Sequence, residues 1–161
     1  MKIFDGYNVI GAGKRLGLSL SREDKEEGLL RLLIAYRSRR RVRERFLVVF
    51  DGDYGRLALG PKKYTRGGIA VEWAIGESAD SLIVGKVRRS RNPKEIEVIS
   101  SDEEILGHVR RARARWMRSG DFLALVEEAM EEGAQIEKPD RPTAGEVQEW
   151  LALFGGGEDS D

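Results

Sequence analysis

The sequence predicts an α/β fold: a Rossmann-like, mostly parallel central sheet flanked by helices. Three observations predict it. Short apolar runs at residues 2–4, 46–50, 69–75 and 95–100 alternate with longer amphipathic segments, the pattern of repeated strand–helix units. Phe46-Leu47-Val48-Val49-Phe50 is apolar without interruption, as in a strand covered on both faces. The runs also end in acids. Asp5, Asp51 and Asp102 close three of them, and Glu77-Ser78-Ala79-Asp80 follows the fourth. Open parallel sheets bind ligands beyond the carboxyl ends of their strands, so these acids gather on one rim.

Residues 2–5 form the first strand, and the glycine-containing stretch Gly6 to Leu20 reads as a loop. Ser21 with Asp24 resembles a capping box that opens a helix running to about Arg43. That helix should bury Leu29, Leu33 and Tyr36 and end in an arginine run suited to the negative end of its dipole. After the strand at 46–50, Asp51 to Gly68 carries five glycines with Lys62, Lys63 and Arg66 and reads as a basic, mobile loop. Ile69, Val71, Trp73 and Ile75 alternate with Ala70, Glu72 and Ala74, the period of a strand. A helix is expected from Ser78 to Arg89, a break at Asn92-Pro93, and a strand at 95–100. Ser101 with Glu104 forms a capping box for a helix toward Arg113. A short strand at Arg115 to Met117 follows, then a helix from Asp121 to Glu132 capped by Ser119. Thr143 with Glu146 opens a last amphipathic helix through Phe154. The expected organisation is a domain over 1–135, a helical extension over 136–154 and a disordered acidic tail over 155–161.

Composition narrows the chemistry. The 161 residues contain no cysteine, which excludes disulfides, thiolate metal sites and cysteine nucleophiles. No apolar run is long enough to cross a bilayer and the first residues lack a signal-peptide core, so no membrane partner and a cytoplasmic location are expected. The single histidine, His108, lies within a helical segment, which rules out a two-histidine mechanism and argues against a Ser-His-Asp triad. The glycine-containing loops match neither the Walker A nor the dinucleotide fingerprint. The net charge of zero hides an asymmetry: residues 1–120 carry +10 and residues 121–161 carry −10. Arginine outnumbers lysine 20 to 8, and its planar fork suits phosphate. A basic body fits a polyanion partner; it fits a surface rich in ion pairs equally well.

Taken singly, each acid has an ordinary explanation in a turn or at the positive end of a helix dipole. Their convergence is the informative feature. Gathered carboxylates repel one another, and such a group persists when a hard cation sits among them. Oxygen ligands without thiols favour Mg2+ or Mn2+, so the residues point to a metal-dependent enzyme acting on phosphate esters. Phe50-Asp51-Gly52-Asp53 superficially matches the loop of haloacid-dehalogenase-type phosphatases, but that loop follows a first strand and this one follows a second. Receiver domains place an acidic pair after the first strand, where this chain has Asp5-Gly6.

Four segments in order carry a family resemblance: Asp5-Gly6-Tyr7-Asn8-Val9-Ile10, Val48-Val49-Phe50-Asp51-Gly52, Glu77-Ser78-Ala79-Asp80-Ser81-Leu82-Ile83 and Val98-Ile99-Ser100-Ser101-Asp102. Together with Arg118-Ser119-Gly120-Asp121-Phe122, they resemble the NYN-domain proteins of the YacP type, relatives of PIN-domain ribonucleases. The resemblance implies a PIN-like fold and a metal-dependent endoribonuclease, acting in some members on ribosome-associated mRNA. It implies Asp5, Asp80 and Asp102 as core metal-binding acids, with Asn8 and Asp51 assisting. Ser78 stands where the family's helix motif often has threonine. RNA-binding candidates are Lys62, Lys63 and Arg66, then Arg88 and Arg89, then Arg110 and Arg111, with Tyr7, Tyr54 or Tyr64 available to stack on a base. The other reading is a non-catalytic RNA- or ribosome-binding module that keeps a vestigial acidic pocket.

Overall fold

The structure is a computed structural model that describes residues 1–137, 145, 148, 151 and 152. Six strands form one sheet in the order β3-β4-β2-β1-β5-β6. They are β1 (Lys2–Asp5), β2 (Phe46–Asp51), β3 (Lys63–Arg66), β4 (Ile69–Ala74), β5 (Glu97–Ile99) and β6 (Arg115–Met117). All neighbours are parallel except β3 and β4, which pair antiparallel as a hairpin at one edge. The helices are α1 (Gly6–Ala12), α2 (Lys25–Arg40), α3 (Ala79–Arg89), α4 (Glu103–Arg111) and α5 (Ser119–Glu137).

Alternation along the strands builds a core on each face. Phe4, Phe46, Val48 and Phe50 turn to one side, where they meet Val9 and Ile10 of α1, Leu29, Leu33 and Tyr36 of α2, and Phe122 and Val126 of α5. Ile3, Leu47, Val49 and Val98 turn to the other side and meet Leu82, Ile83 and Val87 of α3 and Ile105 and Val109 of α4. Phe4 sits 4.9 Å from the ring centroids of both Phe46 and Phe122, which locks α5 onto the central strand. The chain divides into two compact units, Met1–Met130 and Glu131–Asp161. In the second unit, Glu131–Glu137 are helical, as are residues 145, 148, 151 and 152. The capping pair Thr143 and Glu146 and the tail 155–161 lie outside the described residues.

Four local expectations are corrected. Residues 6–12 are helix rather than loop: Gly6 lets α1 start directly at the end of β1, because a Cβ there would lie 2.4 Å from the Phe50 ring. Ser21 caps nothing; its Oγ bonds Ser19 Oγ, Asp24 is drawn to Arg22, and α2 ends at Arg40 because Arg41 is left-handed at φ 51°. The stretch 51–68 is not a free loop. It holds a 3-10 segment, Tyr54–Leu59, and strand β3, joined to β4 through Gly67 and Gly68, whose φ values of 57° and 82° are those of a two-residue type I′ turn. Finally, Asp102 rather than Ser101 caps α4, taking the backbone N–H groups of Glu104 and Ile105 on Oδ1.

Candidate active site

The strand and helix ends determine where the acids stand. Asp5 ends β1, the strand between β2 and β5, and Asp51 ends β2. Asp80 lies in the first turn of α3 and Asp102 is the N-cap of α4, the helices that follow β4 and β5. Because these four strands are mutually parallel, all four acids fall on the carboxyl edge of the sheet.

Asp5 is 7% exposed, and no cation pairs with it among the described residues. Its carboxyl is pushed up to about 6, first by burial and then by the negative charges of Asp80, Asp102 and Asp51, against the lowering effect of the Ser100 hydrogen bond. Ser100 Oγ donates to Asp5 Oδ2 at 2.8 Å. Asp80 is also raised, by burial and then by Asp102, Asp51 and Glu104. The four carboxylates therefore sense one another. The other buried carboxylates behave differently. Glu72, 5% exposed, is held by Lys86 at 2.7 Å and Lys63 at 3.5 Å. Glu97, 8% exposed, is held by Lys2 at 2.6 Å and Arg115 at 3.6 Å.

The surrounding polar groups hold the rim together. Asp51 Oδ1 accepts the Ala79 N–H at 2.7 Å and ties the end of β2 to the start of α3. Asn8 Oδ1 accepts from Ser101 N and from Ser119 Oγ, joining α1 to the turn before α4 and to the start of α5. Ser100 and Ser119, both fully buried, are site residues that sequence reasoning misses. The available signal for Ser100 is a hydroxyl closing an otherwise apolar buried strand. Ser119 is marked in the sequence by its suitability as a cap and by its place in the segment 118–122 that carries the family resemblance, not as a site residue.

The YacP-like NYN domain model matches residues 2–151. The chain belongs to the YacP-like NYN domain family. Among solved structures it resembles Rae1 (YacP) from Bacillus subtilis at 23% identity and a TM-score of 0.64, over 98% of this chain and 84% of that one. The W164L mutant of Rae1 (YacP) from Bacillus subtilis gives the same identity and TM-score over 81% of this chain and 77% of that one. Comparison with curated proteins finds no match.

For this NYN domain, the donor chemistry at the rim fits a hard divalent cation. Asp5, Asp51, Asp80 and Asp102 offer only oxygen, and the raised carboxyls of Asp5 and Asp80 reflect burial and then uncompensated negative charge. Among the described residues, no three Asp, Glu or His side chains are grouped so as to hold an ion on their own. Mg2+ commonly takes one or two carboxylates, several waters and substrate phosphate rather than a complete protein cage.

The NYN domain distributes its cations widely. Asp80 opens a groove of about 530 Å³ between α3 and α4 that reaches Arg88 and His108, whose Nδ1 lies 2.8 Å from Arg88 Nη2. His108 is half-buried on α4, as its helical pattern suggests. Arg110 lies over the Trp116 ring and pairs with Glu103, while Arg111 donates to the Gly107 carbonyl. Arg66 is bound to Glu27 of α2. Lys62 is half-buried before β3, and Lys63 and Arg89 line a cavity on the sheet face beside α3. Of the tyrosines, Tyr7 donates to Glu26 and packs on Phe50, Tyr64 packs against the core, and Tyr54 is 74% exposed. No helix among the described residues is long and apolar enough to cross a membrane.

Proposed function

We propose that this NYN domain is a Mg2+- or Mn2+-dependent endoribonuclease that hydrolyses RNA phosphodiester bonds, with mRNA on the ribosome as its natural substrate. One observation carries the reading: Asp5 is a buried carboxylate that feels the negative charge of three other acids and pairs with no cation among the described residues, while Glu72 and Glu97 each have two. A structural carboxylate recruits a partner; one kept without a partner reserves its charge for a ligand. Family membership supports the nuclease class.

Asp5, Asp80 and Asp102 would hold the ion, directly or through water, with water and substrate oxygens completing its shell. When bound, the ion would supply a Lewis acid for the phosphate and a water of lowered pKa. Ser100 fixes the Asp5 carboxylate through Oδ2. Asp51 positions Asp80 by anchoring the first turn of α3, and Asn8 positions Asp102 by bonding the backbone just before it. The amino ends of α3 and α4 open on the same edge, so their dipoles favour a phosphate beside the acids. In-line attack by water on the phosphorus, with the bond to O3′ breaking and a proton passing to that oxygen, would leave a 3′-hydroxyl and a 5′-phosphate, the products the family resemblance implies.

The test is incubation of purified protein with single-stranded and structured RNA, with and without ribosomes, in Mn2+ or in EDTA. Cleavage should require Mn2+ and disappear in Asp80→Asn. Salt-sensitive RNA binding with no cleavage under any condition would make the protein a binding module instead.

A further inference from the structure

On the face of the sheet covered by α3 and α4, the hairpin β3–β4 runs beside the last turns of α3. The cross-strand pairs Lys63–Glu72 and Thr65–Ala70 border a cavity of about 720 Å³. Four cations line it: Arg45 before β2, Lys63 on β3, and Lys86 and Arg89 on the last turns of α3. Among the described residues Glu72 is the only acid in the lining, and its charge is committed to Lys63 and Lys86. Arg45 and Arg89 are exposed and make no ion pair among the described residues. The buried carboxylate thus organises two ammonium groups, while the guanidinium groups of Arg45 and Arg89 have no counter-charge among the described residues, that of Arg89 resting against Gly85 of α3. Like charges held together in this way favour an anion, and guanidinium groups without a counter-charge suit a phosphate oxygen pair.

The position of the cavity limits what it can do. Arg45, Phe46 and Leu47 belong to the amino end of β2, whereas Asp51 ends it. Helix α3 carries Asp80 in its first turn and Arg89 in its last, and its 11 residues span ~16 Å. The end of the cavity that holds Arg45 and Arg89 is therefore too far from the acids to touch a scissile phosphate, yet within reach of the same RNA strand a few nucleotides away, whereas Glu72 at the other end lies two strands, ~10 Å, from Asp5.

We propose that this cavity is a second phosphate-binding subsite, which grips the backbone of single-stranded RNA whose cleaved bond lies at the acidic rim. The inference rests on the nuclease reading. It predicts a length dependence, because only RNA long enough to span α3 gains the contact. Two lost phosphate contacts should also lower the slope of log affinity against log salt by about 1.4.

The experiment is fluorescence anisotropy of labelled single-stranded RNA 12-mers and 3-mers with the full chain in EDTA, comparing wild type with Arg45→Gln/Arg89→Gln. Both arginines are exposed, and unchanged thermal melting will confirm that the fold is kept. Support is a loss of about ten-fold or more in 12-mer affinity at 0.1 M salt, the reduced salt slope, and a 3-mer affinity that moves less than two-fold. Equal 12-mer affinity in the two proteins overturns the subsite and leaves the nuclease reading intact. ADP or inorganic phosphate binding that depends on the two arginines, with no dependence on RNA length, also overturns it and makes the cavity a small-anion site. A wild type that binds neither RNA and cleaves none removes the nuclease reading, and the subsite with it.

Discussion

Two buried carboxylates flank β2 in a single row of the sheet, each the register partner of Val49, and their surroundings are opposite. Glu72 is 5% exposed and faces two lysines; Asp5 is 7% exposed and faces a serine hydroxyl and three more acids. Burial alone does not explain the difference. Taking a carboxylate out of water costs several kcal/mol, and a nearby cation recovers part of that cost. At Glu72 the recovery comes from within the chain. At Asp5 no described residue supplies it, and the carboxyl is raised as a result. The comparison separates a carboxylate that holds the fold together from one whose unfavourable setting, on the proposed function, a bound ion would relieve.

The largest expected effect is on rate. Asp5→Asn and Asp80→Asn should each lower kcat by 100-fold or more, equivalent to about 3 kcal/mol of transition-state stabilisation. Glu72→Gln should leave kcat within a few-fold. Single-turnover cleavage of a short RNA in Mn2+ measures both, and a comparable kcat loss in Glu72→Gln would end the distinction between the two sites.

Stability should move in opposite directions. Glu72→Gln leaves Lys63 and Lys86 facing each other without their counter-charge. Breaking a buried pair is strongly destabilising, and with the Lys63 side chain 69% exposed the expected loss is about 2–3 kcal/mol by urea unfolding at pH 7.5. Asp5→Asn should gain stability under the same conditions without metal, because it removes the charge that burial and repulsion oppose. The gain should be about 3 kcal/mol. Its pH dependence follows from the direction of the shift. In the unfolded chain Asp5 loses its proton near its ordinary value of 3.8; in the folded protein it keeps the proton up to about 6. Between those values the folded state binds more protons, so wild-type stability falls as pH rises through that window. The advantage of Asp5→Asn should therefore be absent below about pH 4 and complete above about pH 6–7. An advantage that is constant across pH would assign it to packing instead.

Most of the architecture is legible in the sequence because periodicity reports burial directly. Residues 46–50 read as a doubly covered strand and are one, and Leu29, Leu33 and Tyr36 are buried as their spacing predicts. The strand-end acids are legible for the same topological reason. The loop expectations that fail share one cause: glycine suggests a loop, yet here it serves close packing and a tight turn. Gly6 is needed for close approach of α1 to Phe50, and Gly67-Gly68 is a hairpin turn between Thr65-Arg66 and Ile69-Ala70, a pairing that the dipeptide itself signals. Local pattern also cannot choose between Ser101 and Asp102 as a cap, since both precede the helix. In the fold Ser101 is engaged elsewhere, because its Oγ accepts the Ser119 N–H. The contrast between Asp5 and Glu72 is out of reach of sequence, because Lys63 and Lys86 reach Glu72 only through the hairpin and the packing of α3.

The smallest expected effect asks whether an external cation makes good what Asp5 lacks. A ligand that binds only the folded state stabilises by RT ln(1 + [L]/Kd), about 1.4 kcal/mol at ten times Kd. Mn2+ should raise the unfolding midpoint of wild type at pH 7.5, where Asp5 is ionised. It should do less at pH 5, where the proton competes for the same carboxylate. Asp5→Asn should lose the increment, and Glu72→Gln should keep it despite its lower starting stability. An increment that survives in Asp5→Asn and vanishes in Glu72→Gln would reverse the roles of the two carboxylates.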